Sequence, residues 1–439
     1  MKTKAEAALG EQFEAVARQL PGGAWVETLR KEAIGTFESL GLPHRRIEEW
    51  KYTDLRERMR EAFPPALGER PAVSRAQIDA ALGPLAALDA DRLVFVDGAY
   101  RAELSDAQRL GDGFELKTMA EMLAAAPAWL QGKFDGKAQR RPDAIGALNL
   151  AFMSDGVLLK IKPNRTAARP VLLVCARSRK AASSITTRNI IAVEAGAKLT
   201  LMEVHVALAG ASPKAQVNAA TDITLAEGAN ATHMKCLMDA GETTHLATWT
   251  VKIGKAATYR AFQLTAGVGL ARNQVFATFT GEGAKLDVSG LFLGRGSDHV
   301  DTTLFIDHAV PGCESRELFK GVLDGRARGI FQGKVVVRPD AQKTDGKQMA
   351  QALMLSQDAE FDSKPELEIF ADDVVCGHGS TCTELDADML FYCRSRGIPL
   401  AEARAMLIES FAAEAVDKVE DEHIRAALMK VASTWLSGA

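Results

Sequence analysis

Between about Leu148 and Val375 the chain repeats one short unit: a glycine, then small residues, then alternation of apolar and polar positions. Instances open Gly196-Ala-Lys-Leu-Thr-Leu, Gly228-Ala-Asn-Ala-Thr, Gly254-Lys-Ala-Ala-Thr-Tyr and Gly283-Ala-Lys-Leu-Asp-Val, at intervals of 32, 26 and 29 residues. Val, Ile, Leu and Thr at every second place define strands, and turns rich in Gly, Asp and Asn separate them. No long helical period interrupts the run. A strand unit of this length cannot bury its apolar face alone, and stacking copies into a β-solenoid solves that problem. A large irregular β-sandwich is the alternative architecture.

The flanks have a different period. Up to about residue 145 it is mostly helical: Leu9, Phe13, Val16 and Leu20 share one face, and Trp25, Leu29 and Phe37 lie close to another. Pro21-Gly22-Gly23 separates the two helices, and Leu93-Val-Phe-Val96 before Asp97-Gly98 reads as a short strand entering a hairpin. After Asp386 the helical period returns. Leu400, Ala403, Leu407, Phe411, Ala415 and Val419 form one stripe, and Ile424, Leu428, Val431 and Trp435 a second, with Pro399 in the first turn. The pattern divides the chain into an α-rich segment (1–145) with a small β element, a β core (146–383) and a helical module (384–439). That module carries ten acids against six bases, a surface able to meet a basic partner or simply a solvated face.

Composition excludes several functions. A net charge of −4 with no Lys/Arg stripe gives no field for nucleic acid. The first residues lead into an Ala/Glu-rich amphipathic pattern without an apolar signal core, and no apolar run is long enough to span a bilayer, so a cytosolic (cytoplasmic) protein is expected. Six cysteines at 175, 236, 313, 376, 382 and 393, without a Cys-x-x-Cys pair, suit reduced thiols. There is no Gly-x-x-x-x-Gly-Lys-Ser/Thr loop and no Gly-x-Ser-x-Gly elbow. Gly290, Gly294 and Gly296 lack the following helix that a dinucleotide fingerprint needs.

Two constellations carry chemistry. Val374 and Val375 make the following segment extended, which puts Cys376 and His378 on one face: a soft sulfur and a borderline nitrogen suited to iron or zinc. Gly377 and Gly379 leave room for close approach of a second backbone or a cluster. A buried thiol and a hydrogen-bonded histidine in a tight strand end is the plainer account. Elsewhere, His299-Val-Asp301 is half of a His-x-Asp...His triad, completed by His308 or His378, of the kind that binds non-haem Fe(II) in autonomous enzymes. The same pair would also share a strand face as ordinary surface residues.

Seven segments in order carry a resemblance: Glu48-Glu-Trp-Lys-Tyr-Thr-Asp-Leu55, Leu148-Asn-Leu-Ala-Phe-Met-Ser-Asp-Gly156, Ala327-Arg-Gly-Ile-Phe-Gln-Gly333, Gln342-Lys-Thr-Asp345, Lys364-Pro-Glu-Leu-Glu-Ile-Phe-Ala-Asp-Asp-Val374, Cys376-Gly-His-Gly-Ser-Thr381 and Phe391-Tyr-Cys-Arg-Ser-Arg-Gly397. Over nearly the whole chain the sequence resembles the SufB/SufD family, and within it the SufD type. The resemblance implies a mainly β protein with a right-handed parallel β-helix between helical domains. It also implies a non-enzymatic accessory scaffold of a SufBCD-type complex for iron-sulfur cluster assembly, paired with a SufB-like subunit through the β-helices. A SufC-like ATPase would dock on the C-terminal helices.

Carried over residue by residue, His378 matches the histidine presented near the subunit interface where the nascent cluster is thought to form, and Cys376 the cysteine before it. Ala359 stands where the scaffold subunit has its proposed cluster-ligating cysteine, and Gly379 where it has a glutamate, so the resemblance implies the accessory half. One imidazole and one thiol cannot hold a cluster that takes four ligands, so a partner must share it and this chain alone holds none tightly. Cys382 lies outside the transferable motif. In isolation, a homodimer through the β-helix edge is a further expectation, because an open edge favours pairing.

Overall fold

The computed structural model describes residues 2–68, 70–134, 143–239 and 241–437. From Val157–Ile161 to Val375–Thr383, successive strands alternate between two sheets, and each pairs in parallel with the strand two places on. The result is a β-solenoid of about eight turns, with helices at both ends of the sequence. Every second side chain points inward and joins one continuous core running from Leu93 through Trp249, Phe279 and Phe319 to Ala371.

The turn geometry explains the sequence period and corrects one step of it. At one corner of each turn a residue adopts positive φ: Gly196, Gly228, Ala256, Gly283, Gly312 and Lys343. Each donates its amide to a carbonyl of the next turn, as in Gly196 N to Glu227 O at 3.0 Å, Ala256 N to Glu282 O at 2.9 Å and Lys343 N to Asp373 O at 2.7 Å. Ala256, not Gly254, occupies the left-handed corner of its turn. Gly254 is needed for closeness instead, since a Cβ there would stand 2.6 Å from Leu225 O.

Both ends of the sequence fold back onto the solenoid. Helices Lys4–Val16, Ala24–Leu40 and Ala144–Phe152 form a cluster against Leu246 and Leu270 on the outside of the nine-stranded sheet. The strand-rich run read from about Leu148 therefore begins after a helix: Leu148, Ala151 and Phe152 face this cluster, and their apolar run is too short for its period to identify it as helical. Helices Leu400–Val416 and Glu422–Ser437 cover Met234, Leu264 and Leu291 on the outside of the ten-stranded sheet. Strand Asp91–Val96 makes the expected hairpin with Ala99–Tyr100, and it also pairs in parallel with Val171–Arg177, which makes it a rung of the solenoid sheet.

The first two of the resembling segments turn out to be joints of this fold. Trp50 stacks on the Arg272 guanidinium at 3.8 Å, Arg272 donates to Glu49 O at 2.7 Å, and Glu48 pairs with Lys364. Asn149 donates to the carbonyls of Thr187 and Asn218, both at 3.0 Å. Gly156 lets the Arg188 carbonyl come so close that a Cβ would stand 1.9 Å from it.

Candidate functional site at the open end of the solenoid

The C-terminal end of the solenoid has no next turn. Strands Glu360–Ile369 and Val375–Thr383 are the last of their sheets, each pairing on one side only among the described residues. No residue of either strand is fully buried, whereas the preceding rungs are mostly buried. Ile369, Phe370 and Val375 are exposed, Val375 at 63%. An uncovered pair of strand edges with apolar side chains is a template for another chain.

Strand Val375–Thr383 holds the candidate residues in alternation. Cys376 packs against the edge of the inner core, near Val335 and Gly346. His378, two positions on, lies on the same face and is exposed because nothing stacks above it. Ser380 and the exposed Cys382 continue the row. Burial pushes the Cys376 thiol up, the Gly346 amide opposes this, and the Asp345 and Glu317 carboxyls add to it. The thiol therefore keeps its proton until a metal competes for the sulfur. Gly379 is tight rather than open: a Cβ there would stand 2.7 Å from Met349 Cε.

The triad is not assembled. His299 and Asp301 point outward from strand His299–His308 into the joint with the N-terminal segment. There the Thr53 hydroxyl donates to Asp301 and, at 2.9 Å, accepts from His299 Nε2, while Arg272 pairs with Asp301. Burial and then the cations Arg58, Arg328 and Arg272 push His299 down to about 2, so this imidazole is a neutral structural partner. His308 lies an odd number of residues further along and so points inward, its ring centroid 4.5 Å from that of Phe279. His378 belongs to the other sheet. Among the described residues no three His, Cys, Asp or Glu side chains stand together as a metal-ligand set.

Sequence reading missed the residues directly behind the open end. Glu317 and Gln348 occupy the column that ends in His378, through the registers Glu317–Gln348 and Gln348–His378. Both point inward, and both are 3% exposed. The signal was present in the spacing of the repeat, but it emerges only once the strand register is known.

Residues 175–411 match the family model described as "SUF system FeS cluster assembly, SufBD core domain", and residues 12–173 match "SufBD protein N-terminal region". The chain is 32% identical over 406 residues to an iron-sulfur cluster assembly SufBD family protein of Synechocystis sp., covering 89% of this chain and 86% of that one. It is 31% identical to the iron-sulfur cluster assembly protein SufD of Escherichia coli, over 88% of this chain and 87% of that one. It is 26% identical to the iron-sulfur cluster assembly protein SufD of Bacillus subtilis, over 93% of both chains. A β-solenoid with Cys and His on its last rung thus falls in one class: the chain belongs to the SufB/SufD family of iron-sulfur cluster assembly proteins. Within that family it is SufD-like.

Proposed function

We propose that this chain is the accessory scaffold subunit of a SufBCD-type complex and shares a nascent cluster with a SufB-like partner at the open solenoid end. The observation that carries the reading is the position of Cys376 and His378 on the exposed inner face of the last rung, between two unpaired strand edges. A partner solenoid meeting those edges would cover the apolar rim and supply the ligands that one thiol and one imidazole lack. The SufC-like ATPase is assigned to the other uncovered surface. Helix Ala387–Ser395 buries none of its residues, and Met389, Phe391, Tyr392, Leu400 and Met406 are exposed, Phe391 at 73%. ATP-driven dimerisation of that partner would pull on the terminal helices and shift the solenoid interface, giving iron and sulfide access to His378. ATP hydrolysis then belongs to the partner and the work takes place in the cytosol, where no membrane span is required; among the described residues no helix is long and apolar enough to cross a bilayer.

The test is anaerobic co-purification with SufB-like and SufC-like subunits, followed by iron and sulfide reconstitution read by visible absorption, for the native chain and His378→Ala. A cluster that forms in the native complex and fails with His378→Ala is expected. Equal cluster yield with the variant would remove His378 from the function.

A further inference from the structure

Three groups just inside the open end lack what buried polar groups normally have. Neither carboxylate oxygen of Glu317 has a hydrogen-bond partner, nor does Gln348 Oε1, nor His308 Nδ1. Buried acceptors are nearly always satisfied, so orphans gathered at one place call for an explanation. Two of them stand side by side. Glu317 and Gln348 are in register on adjacent strands and point to the same side, about 4.8 Å apart along the sheet. Ser315, the next inward residue before Glu317, has its Oγ 3.1 Å from His308 Nε2.

The surrounding glycines make room for these donors. Gly333, across the interior, leaves its space to the Gln348 amide: a Cβ there would stand 2.1 Å from Oε1. That amide is held in place by Nε2 donating to Gly333 O at 3.2 Å, which leaves Oε1 free to accept. A Cβ at Gly346 would lie 3.5 Å from Ser315 Oγ and 3.6 Å from Cys376 Sγ, so with glycine there no side chain separates the Ser315–Glu317 pair from the cysteine of the last rung. Burial pushes the Glu317 carboxyl up to about 8, and the Ser315 hydroxyl only damps the shift, being out of hydrogen-bonding geometry with either oxygen. An uncompensated carboxyl near an amide oxygen, a hydroxyl and an imidazole is a donor set for a divalent cation, with the single imidazole favouring a borderline one, and is unsuited to an anion.

We propose that Glu317, Gln348 and the Ser315–His308 pair form an Fe(II) holding site in the first two rungs inside the open end, in the columns behind Cys376 and His378. The inference rests on the cluster role proposed above and adds to it where iron waits before assembly. With one carboxylate and neutral donors, the ion is held weakly and exchanges readily.

The test is anaerobic Fe(II) titration of the full-length chain, followed by equilibrium dialysis and by the rise in thermal midpoint that a ligand specific to the folded state produces. Native protein and His378→Ala should bind one equivalent alike, while Glu317→Gln and Gln348→Leu should each weaken binding at least tenfold. Gln is isosteric with Glu, and the metal-free midpoint of each variant reports its folding directly. Binding by Glu317→Gln within twofold of native, or no saturable binding by the native chain at millimolar Fe(II), would overturn the site. Binding lost only with His378→Ala would place the ion at the rim, overturning the inference while leaving the shared-cluster reading standing.

Discussion

The middle of the solenoid and its C-terminal end both bury titratable side chains, and they treat them in opposite ways. In the middle, Glu203 accepts from Thr221 at 2.7 Å and meets His233 Nε2 at 3.0 Å, and His233 reaches Tyr259 at 2.8 Å on its other side. Burial would push Glu203 up, but His205 and His233 outweigh it and hold the carboxyl well below the usual range. Lys235 is likewise held between His245 Nε2 at 2.9 Å and Asn273 Oδ1 at 2.8 Å, and burial pushes it down to about 7. At the end, Glu317 is equally buried and has no such neighbours. Paired charge inside a core fixes side chains against each other, whereas an unpaired carboxyl next to an opening leaves a group ready to meet something else.

That contrast can be broken from either side. The largest effect is expected in the middle: Glu203→Leu removes one member of a buried network and should cost about 3–5 kcal/mol in urea unfolding, because its partners stay buried. A loss as small as that of an exposed residue would mean that the network is not structural. At the end the sign reverses. The folded Glu317 carboxyl titrates near 8, far above its unfolded value, so its contribution is intact below the unfolded pKa and is lost as pH rises toward 8. Glu317→Gln should therefore stabilise the chain at pH 8 by on the order of 3 kcal/mol and change little at pH 4. A pH-independent difference would contradict that account. The smallest effect belongs to the rim: His378→Ala should shift stability by less than about 0.5 kcal/mol, as exposed substitutions usually do. A large loss would recast His378 as a structural residue.

The site was legible in part. Cys376 and His378 could be placed on one face from period two alone, because successive side chains of a strand alternate between its faces. The His-x-Asp pair at 299 and 301 was read in the same way and led elsewhere, since period two gives a shared face but not what covers it. Here the cover is Thr53, nearly 250 residues earlier. Glu317 and Gln348 were invisible for the related reason that a column across strands exists only in the register. Ala256 shows the limit on the turn side: the corner requires a position rather than a residue type, and a tightly bonded alanine accepts positive φ there.

By itself, the sequence determined that the centre would be strands of repeating length flanked by helices, because hydrophobic period is a local property of the chain. It also determined which side chains share a face. Only the tertiary structure decided that the helices fold back over both sheets, that the last rung stays uncovered, and that a buried carboxyl ends up unpaired behind it. Those outcomes depend on which distant segments meet, and that is settled by packing the whole chain at once.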